Sequence, residues 1–187
     1  MINYGYGVML DAIDQGHLAK LKLWRNDPKV YEWCRQNTLI SYDDQIEWFH
    51  RQRDDPSIRM FLVRTGHEIV GVAGLTDIDL INRRAEFSMY IGPEHQGQRY
   101  AKPALKTLFH YGFNTMGLNR IWGETFEGNR ALGIFKAMGM EVEGERKEFY
   151  FKNGNYIDAN IWSINRVQFD NSFKPSSDND GHAKKNI

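Results

Sequence analysis

The sequence predicts a single α/β domain built on a mixed β-sheet. Three observations carry this. Strand-like and helix-like segments follow in the order strand, two or three helices, three strands, helix, strand, helix, two strands. A polar, glycine-containing turn, GPEHQGQRYAKPA (92–104), joins the strand-like FSMYI to the helix-like LKTLFHYGF. An Asn-Gly pair at 153–154 lies between two strand-like runs, a strong hairpin signal. The chain has 187 residues, one domain by length and enough to bury a core.

Residues 4–10 are expected as a short strand. Residues 15–36 read as helix with a break at Asp27-Pro28, because proline disfavours helical backbone in the residue before it. The break makes a turn of Trp24-Arg25-Asn26-Asp27-Pro28. Ser41 is the expected N-cap of the next helix, with Asp44 at its third position. Ile46 and Phe49 then follow at helical spacing. Residues 58–64 and 68–78 pair as strands around Thr65-Gly66-His67. Residues 84–91 form a strand, 100–116 a helix, 119–126 a strand and 129–138 a helix. Residues 140–151 and 155–165 close the hairpin around Lys152-Asn153-Gly154-Asn155. The stretch from Asn171 is almost empty of core residues, so a folded domain is expected over 1–168 and a disordered tail over 169–187.

Composition narrows the function. Charge is balanced, with 24 basic and 24 acidic residues, where a nucleic-acid binder would more often be basic. The one cysteine, Cys34, allows no internal disulfide and no cysteine zinc cluster. No metal is expected. The N-terminus lacks a basic flank and a long apolar run, and no window approaches the roughly 18 apolar residues of a membrane span, so a cytoplasmic location is expected. Aromatic residues reach 13%, with five Trp, which either pack the core or line a cleft.

In the strand 84–91, alternation places Ala85, Phe87, Met89 and Ile91 on one face and Glu86, Ser88 and Tyr90 on the other. A carboxylate on a central strand marks a wet pocket; on an edge strand it marks only a solvated face. After Gly92-Pro93, the run Gln96-Gly97-Gln98-Arg99-Tyr100-Ala101 leads into a helix whose first N–H groups lack helical partners, which makes an anion site. Gly97 allows close backbone approach, and Arg99 adds charge. Pro103 is tolerable only if the helix starts near Tyr100 or Ala101, so that the proline stays in its first turn. His50 and His110 read as surface or core residues, His67 as a solvated turn residue and Cys34 as packing. His95 adjoins the anion turn.

The run AEFSMYIGPEHQGQRYAKPAL resembles the fourth strand and pyrophosphate loop of the GNAT acetyltransferases. Gln96 and Ala101 match the ends of that loop's motif, while Arg99 stands where the family has its central glycine. EGNRALGIFKAMGM resembles the family's second cofactor-side segment, and the WRN turn followed by Ile40-Ser41 and an acidic helix also recurs there. The resemblance covers nearly the whole folded chain. It implies a GNAT fold: a mixed, mostly antiparallel central sheet with splayed central strands and flanking helices.

The resemblance also implies acetyl-CoA as co-substrate, its pyrophosphate held by Gln96, Gly97, Gln98, Arg99, Tyr100 and Ala101, with Met89, Tyr90 and Ile91 on the splayed strand. Asn129 and Phe135 stand near the family's second-helix Asn and Tyr; Phe135 has no proton to donate. Glu86 is the expected base, with a structural ion pair to Arg83, Arg84 or Arg120 as the other reading, and Glu124 is the second candidate. Ser88, Tyr90 or Tyr100 is left as the acid, or the thiolate leaves unaided. Trp24, Arg25, Asn26, Arg35 and Trp48 form the expected acceptor side. Two branches are similar. The aminosugar acetyltransferases of the pseudaminic acid pathway imply a nucleotide-linked 4-amino-4,6-dideoxy sugar as acceptor. The ribosomal-protein branch implies a protein N-terminus. A non-catalytic acyl-CoA binder is motivated by Phe135 and Gly128, and a scaffold without cofactor by Arg99. The family's C-terminal strands often pair across dimers, which implies a homodimer.

Overall fold

A seven-stranded sheet in the order β1-β2-β3-β4-β5-β7-β6 organises the protein in the computed structural model, which describes residues 1–173. The strands are β1 (Met9–Asp11), β2 (Arg59–Thr65), β3 (Glu68–Asp79), β4 (Arg84–Ile91), β5 (Arg120–Phe126), β6 (Glu141–Lys152) and β7 (Asn155–Asn165). The helices are α1 (Leu18–Asn26), α2 (Pro28–Tyr31), α3 (Tyr42–Asp54), α4 (Ala101–His110), α5 (Leu132–Ala137) and α6 (Arg166–Ser172). All strand pairs are antiparallel except β4 with β5. Among the described residues no helix is long and apolar enough to cross a membrane.

The sheet is covered on both faces. On one side α4, α5 and α6 bury Leu105, Phe109, Phe135 and Phe169 against Phe87, Ile121 and Trp162. On the other, α1 and α3 bury Leu18, Leu21, Trp24 and Phe49 against Leu62 and Val72. The alternation along β4 maps onto these layers: Ala85 and Phe87 join the first cluster, and Tyr90 packs against the second. β4 lies in the middle of the sheet, so the solvated-edge reading of Glu86 fails, and this carboxylate is only 6% exposed.

The parallel ladder between β4 and β5 has three pairs, Arg84↔Arg120, Ala85↔Ile121 and Glu86↔Trp122. Past Glu86, β4 stays on β3 as far as Ile91↔Gly71, while β5 stays on β7 as far as Phe126↔Ala159. The sheet therefore splits into two halves. Phe87 sits at the split, against the backbone of Gly123: a Cβ there would lie 2.3 Å from the Phe87 ring. A glycine at 123 is what lets the ring occupy that space.

Local signals worked where they rested on hydrogen-bond chemistry. The Ser41 hydroxyl accepts from Asp44 N–H at 3.0 Å, and the Asp44 carboxylate accepts from Ser41 N–H at 2.8 Å, a complete capping box. Asn153 and Gly154 take φ of 51° and 81°, the left-handed pair that a two-residue hairpin needs. Five expectations need correction. The first strand is Met9–Asp11, not 4–10, because Gly5 and Gly7 turn the chain with φ of 78° and 90°. Helix after Pro28 ends at Tyr31 rather than running to 36. The helix expected over 100–116 ends at His110 and widens into a π turn at Tyr111–Thr115, and that over 129–138 begins at Leu132, after Asn129 accepts the Ala131 N–H. The boundary expected after 168 falls inside α6, whose Asn165 caps it and whose Phe169 is 3% exposed. The remainder of the expected tail, 174–187, lies outside the described residues.

Phe169 carries a prediction. Phe169→Ala should cost about 3 to 5 kcal/mol in urea unfolding, as a fully buried phenylalanine does; a cost near zero would return residue 169 to a tail.

Candidate active site

The anion turn follows from β4. Gly92 approaches the Trp24 ring so closely that a Cβ would lie 2.6 Å from it, and Pro93–His95 form one 3₁₀ turn. Gly97 has φ of 80° and Arg99 has φ of 66°. A left-handed non-glycine residue costs about 1 to 2 kcal/mol. Arg99 thus keeps the backbone shape of the glycine it replaces and adds a guanidinium beside the turn. α4 then starts at Ala101, with Tyr100 as N-cap, no side-chain cap and no acidic residue in its first turn. Pro103 is the third helical residue, where no intrahelical N–H is lost. Uncapped N–H groups, the helix dipole and Arg99 make an anion seat.

The seat opens into a cleft of ≈ 900 Å³. Met89, Tyr90 and Ile91 line it from β4, and Gln96, Gly97, Arg99, Tyr100 and Ala101 from the turn. Asn129, Ala131 and Ile134 close the β5 side; Val30, Glu32, Trp33 and Cys34 close the α2 side. His95, 6% exposed, also reaches the wall and meets Trp24 and Tyr100 edge-on. Two expected wall residues are elsewhere. The Gln98 side chain turns back to donate to the Glu94 carbonyl at 3.0 Å. Phe135 is 3% exposed and wedged edge-on between Phe87 and Trp162, so its neighbour Ile134 reaches the wall in its place.

Where β4 and β5 part, two carboxylates are buried. Glu86 accepts from Arg35 Nη2 at 2.7 Å. None of the arginines expected as its structural partner is used: Arg84 pairs with Asp79, and Arg120 with Glu143. Burial pushes the Glu86 carboxyl above its ordinary pKa, Arg35 opposes this, and Asp77 and Glu124 add to the rise. The Glu124 side chain is 2% exposed; it accepts from Arg146 Nη1 at 3.1 Å and from the Tyr150 hydroxyl at 3.0 Å. Burial, then the bond to Glu124, raises the Tyr150 pKa. Burial also raises the Tyr90 pKa, with the Arg25 cation opposing, so this phenol stays protonated at neutral pH.

The expected acceptor residues divide. Arg35 reaches Glu86. Trp24 does not face the cleft: it is 4% exposed and its Nε1 donates to the Glu94 carboxylate at 2.9 and 3.0 Å. Asn26 exchanges two 2.8 Å bonds with the backbone of Ile40. Arg25 donates twice to Gln36 Oε1, at 2.9 and 3.1 Å, with its guanidinium 5.6 Å from the Tyr90 ring centre. Trp48 packs against the α1–α3 core. The WRN turn is therefore a brace for the segment that carries Arg35. Sequence reasoning missed Tyr150 and Arg146 on β6. The fixed Asn-Gly turn gave their strand, but β6 is bulged between Arg146 and Tyr150, which hides which face each side chain takes.

A parted mixed sheet with an anion turn at one end and buried carboxylates at the fork defines an acyl-CoA-dependent acyltransferase. The chain belongs to the acetyltransferase (GNAT) domain family, which matches residues 8–141. It is similar to spermidine N(1)-acetyltransferase of Vibrio cholerae serotype O1, 28% identical over 152 residues, 80% of this chain and 88% of that protein. It is also similar to acetyltransferase PseH of Campylobacter jejuni, 23% identical over 128 residues, 68% of this chain and 78% of that one. A crystal structure of the Vibrio cholerae spermidine N-acetyltransferase with CoA and spermine superposes with a TM-score of 0.83, at 26% identity, over 87% of this chain and 98% of that chain. This protein is an acetyl-CoA-dependent N-acetyltransferase.

Arg99→Gly suits the left-handed backbone yet removes the cation. Stability should hold or rise slightly, while acetyl-CoA binding weakens about tenfold at low salt and less at high salt. Calorimetric titration at two ionic strengths reads both.

Proposed function

We propose that this enzyme acetylates a primary amine of a polyamine-type cation by direct attack within one ternary complex, with Glu86 as the base. The carrying observation is the pair of buried carboxylates, Glu86 and Glu124, on the two strands that part; neither lines the cleft wall itself, which β4 reaches further on with Met89, Tyr90 and Ile91. Each carboxylate is already paired, Glu86 with Arg35 and Glu124 with Arg146, but the Arg35 side chain is half exposed, so a cationic ligand can compete for Glu86. The similarity to spermidine acetyltransferases supports the same class. A nucleotide-linked amino sugar is the weaker reading, because Arg25 and Arg35, which would meet its phosphates, are bonded to Gln36 and Glu86, and Trp24, a candidate to stack on its sugar or base, is buried and bonded to Glu94. No contact in the structure favours a protein N-terminus as acceptor.

Acetyl-CoA supplies the thioester when bound. The backbone of 97–101 and Arg99 hold its pyrophosphate. The acceptor must lose a proton to attack, and Glu86 takes it directly or through water. β4 past Phe87 has no β5 partner, so backbone N–H in Met89–Ile91 is available to the developing oxyanion. Tyr90 and Tyr100 both line the cleft, and Tyr90, a phenol protonated at neutral pH, is our choice of acid for the leaving thiolate. The thiol's ordinary pKa of about 8.5 makes this help modest.

A second copy of the chain is the proposed partner. β6 is an edge strand, and the hairpin exposes Phe149, Phe151 and Tyr156, at 56%, 57% and 67%. Such an edge is protected by pairing.

Thiol release with spermidine, a UDP-linked 4-amino sugar and an Ala-initiated peptide tests the acceptor; spermidine is expected to react fastest, and preference for either other amine would reject the polyamine reading. Glu86→Gln should lower kcat by roughly 10² to 10⁴ with acetyl-CoA affinity kept. The base works only when ionised. Because its folded pKa is raised, wild-type kcat should fall as pH drops through a value above the ordinary glutamate range, and that acid limb should vanish in Glu86→Gln.

A further inference from the structure

Lys152, the last residue of β6, is 5% exposed. Its ammonium donates to three backbone carbonyls, Tyr31 at 2.5 Å, Cys34 at 2.5 Å and Gln36 at 3.0 Å, and lies 4.3 Å from the Tyr31 ring centre. The three carbonyls run from the last residue of α2, Tyr31, into the irregular stretch that follows it. Burial pulls the Lys152 pKa down, Cys34 and Glu32 oppose this, and Arg25 adds to it. A buried ammonium is costly unless every proton is bonded. Here all three bonds are spent on fixing one piece of backbone.

Residue 35 lies inside that fixed piece. The far end of the piece is tied as well, because Gln36 accepts from Arg25 and donates to the Thr38 carbonyl. We propose that Lys152 is a positioning residue: it pins segment 31–36 so that Arg35 reaches Glu86, and so sets the ionisation of the base from outside the cleft. The inference rests on Glu86 being that base.

The charges around Glu86 make the effect directional. Arg35 comes from the pinned segment, Asp77 from β3 and Glu124 from β5. Arg35 lowers the Glu86 pKa, whereas burial and both carboxylates raise it. Tyr150 and Glu124 also face Arg35, so a displaced guanidinium has other acceptors nearby. If the segment slackens, Glu86 loses the one charge that lowers its pKa and keeps the two carboxylates that raise it.

The test follows the Glu86 carboxyl directly, in full-length protein carrying ¹³C-labelled glutamate, with Glu86→Gln to assign the signal. No acceptor is needed, so a wrong acceptor class does not affect it. Arg35→Met and Lys152→Met should each raise the Glu86 midpoint by about one pH unit. The double variant should go no higher than Arg35→Met alone, because both act through one contact. Lys152→Arg, which keeps the charge, should fall between wild type and Lys152→Met, and serves if Lys152→Met does not fold. With a reacting acceptor, the acid limb of kcat should move up by the same amount and activity should recover at high pH, which a generally damaged fold would not do. A midpoint left at its wild-type value by both Lys152 variants while Arg35→Met moves it, or additive shifts in the double variant, would overturn the proposal. A midpoint that moves as expected while the acid limb of kcat stays put would overturn the role of Glu86 as base and leave the pinning intact.

Discussion

The parting of β4 from β5 after Glu86 is the constraint on which the rest depends. Three ladder pairs hold the two halves of the sheet together, and beyond them no β4–β5 pair forms. The parted strands are not left loose. Phe87 fills the fork against Gly123 and meets Phe109 of α4 and Phe135 of α5 edge-on. The same ring thus ties the gap to the two helices that flank the cofactor side. The cleft, the free β4 backbone and the burial of two carboxylates are consequences of that one break in the ladder.

The polar side of the fork is arranged unevenly. Glu124 is held twice from β6, by Arg146 and Tyr150, and is closed off from solvent. Glu86 is held once, by an arginine on an irregular segment whose side chain is half exposed. A buried carboxylate with one half-exposed partner is the more easily reached by a cationic ligand. This unevenness fits the proposed roles, in which Glu124 is structural and Glu86 exchanges a proton. The brace made by Arg25, Asn26 and Gln36, together with Lys152, keeps the exposed partner aimed.

The fold was legible where one residue type has one physical use. Ser41 with Asp44 caps a helix, Asn153-Gly154 turns a hairpin, and the alternation of Ala85, Phe87 and Met89 against Glu86 and Tyr90 needs a sheet covered on both faces. The anion turn was legible for the same reason, and φ at Arg99 shows why a departure from glycine leaves its shape intact. The acceptor side was not. Trp24, Arg25 and Asn26 look like a ligand surface because they carry donors, but their partners Glu94, Gln36 and Ile40 lie 10 to 70 residues away, and spacing does not reveal such pairs. Lys152 beside a hairpin turn reads as solvated for the same reason, and Phe169 is a single apolar residue in a polar stretch whose burial depends on Phe113 and His110.

A crystal structure of the protein with CoA and spermidine would test the central claim most directly. The account predicts pantetheine density between β4 and β5, pyrophosphate on the backbone of 97–101 beside Arg99, and an amine of spermidine within hydrogen-bonding reach of Glu86. CoA bound away from the fork, or an acceptor amine remote from Glu86 with the Arg35–Glu86 pair intact, would contradict it.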